Sequence, residues 1–324
     1  MPQSARRRVL AYSAVGLFVL IDAVLIMSAL SSTSVDAAVS ASSTPAPIAS
    51  VVPTPSATPS PTPTRTLAPS VSPVPSSRLI SAVSATAAWR ATTGACPATA
   101  ASPELSVDSG ASWSTSNATA LTGVTALQTI NAQSESVAEF VGLDEEDCAP
   151  QFVKTFIGGE NYSSYPDELE PAWYVDPADR ATVHGPEGLA PAPCDAIVTL
   201  AASPTETDSA AVLCVDGRLF ATTDAAATWS PPVTVAGIVT LTATPTGYLA
   251  VATTTSSVTP AHCIGVHLVA LTADLEPTVT GCYETEQTPA ALAGQVAISV
   301  ADDTLWLWIG DSVVRSTDAG QTWL

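Results

Sequence analysis

Apolar residues in the C-terminal half of the chain fall in runs of five to eight that end on turn residues, a pattern that predicts short β-strands. Such runs cover Ala196 to Ala202, Ala210 to Val215 and Arg218 to Thr223, with Asp216-Gly217 turning between the last two. The arrangement returns in Val296 to Ala301, Thr304 to Ile309 and Ser312 to Ser316, where Gly310-Asp311 supplies the turn. Between these groups, Ile238 to Thr244, Tyr248 to Thr253, Ile264 to Leu271 and Thr278 to Tyr283 form a four-strand unit. Upstream, a unit from about Leu121 to Tyr162 shows Val137 to Gly142 and Gln151 to Ile157 as its clearest strands. Trp306 and Trp308 alternate with Leu305, Leu307 and Ile309, so both faces of that strand are apolar. A strand of this kind packs between two neighbouring sheets.

The N-terminal pattern is different. Val9 to Leu30 is 22 residues with one charge, Asp22, and follows Arg6, Arg7 and Arg8. As a helix it is roughly 33 Å long, about a hydrocarbon core. The positive-inside rule then makes residues 1–8 a cytoplasmic start, residues 9–30 a transmembrane signal anchor and everything beyond extracytoplasmic. A cleaved signal peptide is the competing reading, with small residues Val35 and Ala37 at suitable positions. Asp22 costs on the order of 3 kcal/mol at mid-membrane, which the surrounding Leu, Val, Ile and Phe outweigh.

Residues 31–78 read as a disordered linker. Positions 41 to 77 hold ten Pro and fifteen Ser or Thr, with Arg65 the sole charge. This composition has no core to form and favours polyproline II, giving a stalk of roughly 110 Å when fully extended. Its hydroxyls are candidates for O-glycosylation. From Leu79 onward acids number 28 and bases five, a net of −23 (28 acids less five bases). That field repels nucleic acid and other polyanions, so neutral, cationic or metal-bridged partners fit better.

Six cysteines, Cys96, Cys148, Cys194, Cys214, Cys263 and Cys282, lie outside the membrane segment. An even count there reads as three disulfides among fifteen connectivities. The short separations of Cys194 from Cys214 and of Cys263 from Cys282 suit neighbouring strands, leaving Cys96 with Cys148 by elimination. Each contributes roughly 3 kcal/mol by the loop-entropy model. No cysteine or histidine spacing indicates zinc or a redox pair.

Three segments share one pattern: Ser106-Val-Asp108-Ser-Gly110-Ala-Ser112-Trp113, Thr222-Thr-Asp224-Ala-Ala226-Ala-Thr228-Trp229 and Ser316-Thr-Asp318-Ala-Gly320-Gln-Thr322-Trp323. The pattern resembles the Asp box, S/T-x-D-x-G-x-S/T-W, of sialidase-type β-propellers. The resemblance implies turns between the third and fourth strands of a blade, on the rim away from the usual binding face, that stabilise and do not catalyse. Asp108, Asp224 and Asp318 accept backbone N–H bonds, Gly110 and Gly320 supply positive φ, and Trp113, Trp229 and Trp323 bury beneath the hairpin. Ala226 replaces the second glycine; a left-handed conformation there costs roughly 1–2 kcal/mol.

Trp113 to Trp229 is 116 residues and Trp229 to Trp323 is 94. One cryptic unit in each gap brings the period near the roughly 40–50 residues of a four-stranded blade. The expectation is an all-β domain over 79–324: a propeller of five four-stranded blades, or six if the acidic, proline-containing insert Ser163 to Pro193 hides one. The last blade lacks a fourth strand, which Leu79 to Ala88 is the candidate to supply; the alternative is an edge left open.

The chemistry is sparse. Sialidases use an arginine triad, a Tyr/Glu pair and an acidic residue, but Arg218 and Arg315 precede the repeated turns on third strands and leave only Arg90 and Arg180. The Arg-Ile-Pro motif that opens such enzymes is absent from the sequence. Asp144-Glu145-Glu146-Asp147 reads as a solvated acidic turn before a Ca²⁺ site. His184, His262 and His267 lack a catalytic motif around them. The insert, with Asp167, Glu168, Glu170, Asp176 and Asp179, carries Tyr162, Tyr165, Trp173 and Tyr174 as candidate ligand contacts. The expected function is a noncatalytic binding or scaffold module for a glycan, wall polymer or protein, single-pass in a cell membrane, with sialidase-type hydrolysis as the alternative. No catalytic residue, cofactor, metal or nucleic-acid partner is expected.

Overall fold

A computed structural model describes residues 71–253 and 263–324. The readings made for the basic start, the membrane segment, most of the linker and His262 lie outside them. Six antiparallel sheets follow one another along the chain. The first holds β1 (Arg78–Ala82), β2 (Ala88–Thr92), β3 (Glu104–Ser106) and β4 (Ser114–Thr115). The second holds β5 (Val124–Ala132), β6 (Ala138–Asp144), β7 (Pro150–Thr155) and β8 (Ser163–Ser164). The third has β9 (Tyr174–Val175), β10 (Thr182–Gly185) and β11 (Gly188–Pro191). The fourth comprises β12 (Ile197–Ala202), β13 (Ala210–Cys214), β14 (Arg218–Thr222) and β15 (Val233–Thr234). The fifth comprises β16 (Ile238–Thr244), β17 (Gly247–Thr253), β18 (Gly265–Thr272) and β19 (Pro277–Glu284), and the sixth β20 (Val296–Ala301), β21 (Thr304–Ile309) and β22 (Ser312–Ser316). Short helices α1 (Thr119–Thr122) and α2 (Pro289–Leu292) lie in two of the connections.

The innermost strands β1, β5, β9, β12, β16 and β20 touch in turn and return to β1, which makes the chain a six-bladed β-propeller. Five blades were the first expectation; the insert at 163–193 supplies the sixth. Its inner strand is only two residues long, too short to show a period. It also runs against the others. Trp173, at its start, bonds Thr207 beyond the end of β12, whereas Arg180, past its end, reaches Ile197 and Val198 at the start of β12.

Five of the six blade junctions hold apolar clusters. Trp89, Leu127 and Phe140 fill the first, Val141, Phe152 and Tyr174 the second, and Val183, Val212 and Phe220 the third. Leu213, Leu241 and Val269 fill the fourth, and Val251, Leu268 and Leu307 the fifth. The closing junction, between the last blade and the first, is built from stacked cations and indoles. Arg90 lies 4.0 Å from the Trp113 ring and 4.8 Å from that of Trp308, Arg78 is 4.5 Å from Trp308, and Arg315 is 5.3 Å from Trp306. Trp306 and Trp308 are buried, as their strand pattern implies.

Closure does not use Leu79 to Ala88 as a fourth strand of the last blade. That segment forms β1, the turn after it and the start of β2 of the first blade. Leu324 instead pairs with Arg315 at 2.8 and 3.2 Å, the place Ser114 takes against Leu105 in the first blade. Ser76 and Ser77, grouped with the linker by composition, bond Val296 and Gly294. All three disulfides form with the expected pairing; Cys96–Cys148 ties the first blade to the second.

Candidate functional site

The three repeated turns are superposable in their bonding. Each begins with a hydroxyl that donates to the aspartate and accepts the N–H four residues on: Gly110 to Ser106 at 2.9 Å, Ala226 to Thr222 at 3.1 Å and Gly320 to Ser316 at 2.8 Å. Each aspartate also accepts the N–H and the hydroxyl of the residue four further on, Ser112, Thr228 or Thr322. The turns join the third strand to the fourth, or to Leu324 in the last blade.

Trp113 stays on its own hairpin through Nε1, which donates to Gly110 O at 3.2 Å, but the three indoles also reach beyond their turns. They are half-buried and reach the preceding blade: Trp229 Nε1 donates to Pro191 O at 3.2 Å, Trp323 Nε1 to Cys282 O at 2.7 Å, and Trp113 meets Trp306 edge-on at 6.3 Å. The same bonding marks a fourth turn that lacks the sequence pattern. In Thr155 to Tyr162, Gly159 N–H bonds the Thr155 hydroxyl at 3.0 Å, and the Tyr162 phenol meets Ser116 Oγ of the preceding blade at 2.6 Å. Ile157 has replaced the aspartate and Tyr162 the tryptophan. A fifth remnant survives at Thr272, whose hydroxyl accepts from Glu276 N–H at 3.1 Å.

Two consequences follow for stability. Ala226 sits at φ +69°, the left-handed region that the second turn demands of a residue with a Cβ. Ala226→Gly is therefore expected to raise stability by about 1 kcal/mol and Tm by about 2–4 °C, read by thermal melting. An unchanged Tm would mean the turn relaxes without strain.

The second concerns acid. The Thr322 N–H and hydroxyl, then Ser316, pull the Asp318 carboxyl down to about 2; Asp108 and Asp224 shift the same way, led by the Ser112 and Thr228 hydroxyls. A depressed folded-state carboxyl stabilises fully above its unfolded value near about 4 and ceases to as pH falls toward about 2. Melts at stepped pH should show stability falling through that window, less steeply in Asp318→Asn.

The inner strands enclose a central channel of about 1040 Å³. Half of its lining is Ala, Ser, Thr and Pro, with aliphatic residues and, from the second and third blades, aromatic ones. Five charged residues line it, four of them engaged. Arg180 donates to Ile197 O at 2.6 Å and Val198 O at 3.0 Å. Arg78 bonds Gln295, faces Asp311 at 3.7 Å and covers Trp308. Glu139 and Glu168 both clasp Lys154, the chain's single lysine. Burial lowers the Lys154 pKa, but the two carboxylates outweigh it and raise the net value. Asp302 stands exposed, without a salt-bridge partner among the described residues.

Of the four aromatic ligand candidates, two line this channel. Tyr174 is buried and stacked on His184 at 4.5 Å, and Trp173 is half-buried. Tyr165 lies outside against Phe156, and Tyr162 belongs to the degenerate turn. Asp176 and Asp179 accept N–H bonds within their own turn, as do Asp144 and Asp147 in the acidic run. His184 bonds Ala172 O, and His267 is buried with neither ring nitrogen partnered. Arg90 is held by Glu104 at 2.6 Å and Arg218 by Asp216 at 2.7 Å, while Arg315 donates to Ala85 O.

Neither a protein-family model nor a curated protein matches the chain. Among solved structures it is similar to YCF48 from Cyanidioschyzon merolae, at 13% identity and TM-score 0.39, over 78% of this chain and 86% of that one. YCF48 bound to D1 peptide is similar at 14% identity and TM-score 0.28, over 78% and 82%. A GH74 xyloglucanase from Xanthomonas campestris is similar at 14% identity and TM-score 0.30, over 76% of this chain and 37% of the enzyme.

Proposed function

We propose that this chain is a noncatalytic binding propeller of the Asp-box type, anchored by its N-terminal segment and displayed outside a cell membrane, that takes a ligand into its central channel. The observation that carries the reading is the engagement of the arginines. Arg78 and Arg180 are the ones that line the channel, and both are held by protein partners. Arg90, Arg218 and Arg315 are held elsewhere. A sialidase needs several free guanidinium groups converging on one substrate carboxylate, and the described residues offer no such group. The three disulfides and the net acidity fit display in an oxidising exterior.

Two experiments test this. The full chain should leave a fluorogenic sialoside intact, and turnover abolished by Arg180→Ala would contradict the binding role. Protease added to intact cells should cut the linker and release the propeller, whereas protection until lysis would contradict outward display.

A further inference from the structure

The channel has two unlike mouths. The repeated turns pack on the loops between first and second strands, since Ser109 N–H bonds Thr86 O and Ala225 N–H bonds Asp208 O. That defines one face. Thr207 belongs to the same set of loops, so Trp173, which donates to Thr207 O at 2.8 Å, stands at the mouth on this face. The chain itself joins the ring at the opposite face, where Ser77 bonds Gly294 and Thr93.

Trp173 is fixed in a particular way. A Cβ on Gly185 would lie 2.9–3.2 Å from three atoms of the indole, so the ring rests directly on that glycine's backbone. Its N–H is engaged by Thr207, and the ring is half-buried and lines the channel. An indole seated on one face, with its donor satisfied, offers a rigid apolar platform at little ordering cost. Along the channel from it the wall is hydroxylated: Thr199, Thr240 and Thr242 line it, and their side chains make no hydrogen bond among the described residues. The lining cations are engaged, the Arg78 Nε being buried out of reach without a partner, and the free carboxylate, Asp302, repels anions.

Resting on the channel-binding reading above, we infer that the channel entered at Trp173 binds a neutral glycan, one sugar ring stacking on the indole and those further along the channel bonding the threonine wall. A sugar has the two properties this wall matches, an apolar C–H face and uncharged donors and acceptors. An anionic polymer would find no free cation. A basic peptide would find one unpaired carboxylate.

The test is titration of the full chain with cellohexaose, an N-acetylglucosamine hexamer and mannohexaose, alongside a galacturonate hexamer and a proline-rich peptide. Binding is followed by calorimetry and by hydrogen exchange. At least one neutral hexasaccharide should bind and protect β12 and β16, with Trp173→Ala weakening it by about tenfold or more. Because Trp173→Ala also loses the Thr207 bond, Gly185→Ala provides a second variant that keeps the indole and tilts it; weaker binding is again expected. Failure of all three neutral hexasaccharides, or binding unmoved by both variants, would overturn the inference. If the peptide or the uronate alone protects β12 and β16, the channel stays a binding site and only the ligand class falls.

Discussion

Replacing Trp306 by alanine is expected to cost about 3–5 kcal/mol, the range for truncating a fully buried indole, and to lower Tm by on the order of 10 °C. Trp306 is fully buried, its Nε1 donates to Ser84 O at 2.9 Å, and its ring meets Trp113 and Arg315. These contacts lie at the junction that closes the ring, so the loss falls where no apolar cluster is found among the described residues. Unfolding in urea should show the effect in the midpoint. A loss below about 1 kcal/mol would mean that the junction is held by the inner strands alone, through bonds such as Ala82 N–H to Ser299 Oγ at 2.9 Å.

Removing the Cys96–Cys148 bridge, as Cys96→Ala with Cys148→Ala, should be nearly as costly. The bridge closes 52 residues, the longest loop of the three, and the loop-entropy relation gives about 4 kcal/mol. The Cys263–Cys282 bridge closes 19 and gives about 3 kcal/mol by the same relation. Cys96–Cys148 also spans two blades, whereas Cys263–Cys282 stays within one. The double variant should therefore melt lowest of the three paired-cysteine variants. Equal losses across the bridges would show that loop length does not set their contribution.

Much of this architecture was legible in the sequence, and where it was, a physical signal was strong. β20 to β22 run as anticipated to the residue, because Leu, Ile and Trp alternate between turns that contain Gly310-Asp311 and Asp302-Asp303. The three complete turns announced themselves through side chains that each make a bond. The third blade was hidden for the opposite reason. Pro166, Pro171, Pro177 and Pro186 interrupt any period, and β9 is held by its packing between β5 and β12 more than by a run of its own. The turn ending at Tyr162 lacks the Asp and Trp that mark the other three, so it does not stand out in the sequence. Thr155, Gly159 and an aromatic at 162 keep the spacing, and 49 residues separate Trp113 from Tyr162, one blade's worth.

The channel was less legible than the fold. Trp173 and Tyr174 stand out by composition, but nothing local distinguishes them from Tyr165, which packs on Phe156 and the second junction and is not part of the channel lining. What separates them is the reversed direction of β9, a property of the ring as a whole. The Gly185 seat beneath Trp173 is invisible until β10 folds back on it.

Hydrogen exchange across residues 174–192 tests that blade most directly, since the six-fold ring and the Trp173 mouth both depend on it. Amides with partners here, Asp176 to Thr182 O, Thr182 to Asp179 O and Ala192 to Ala181 O, are expected to exchange slowly, on the scale of those in β16 and β17. Exchange of the whole segment at the rate of an unstructured peptide would leave five blades and an excursion, and would contradict the account.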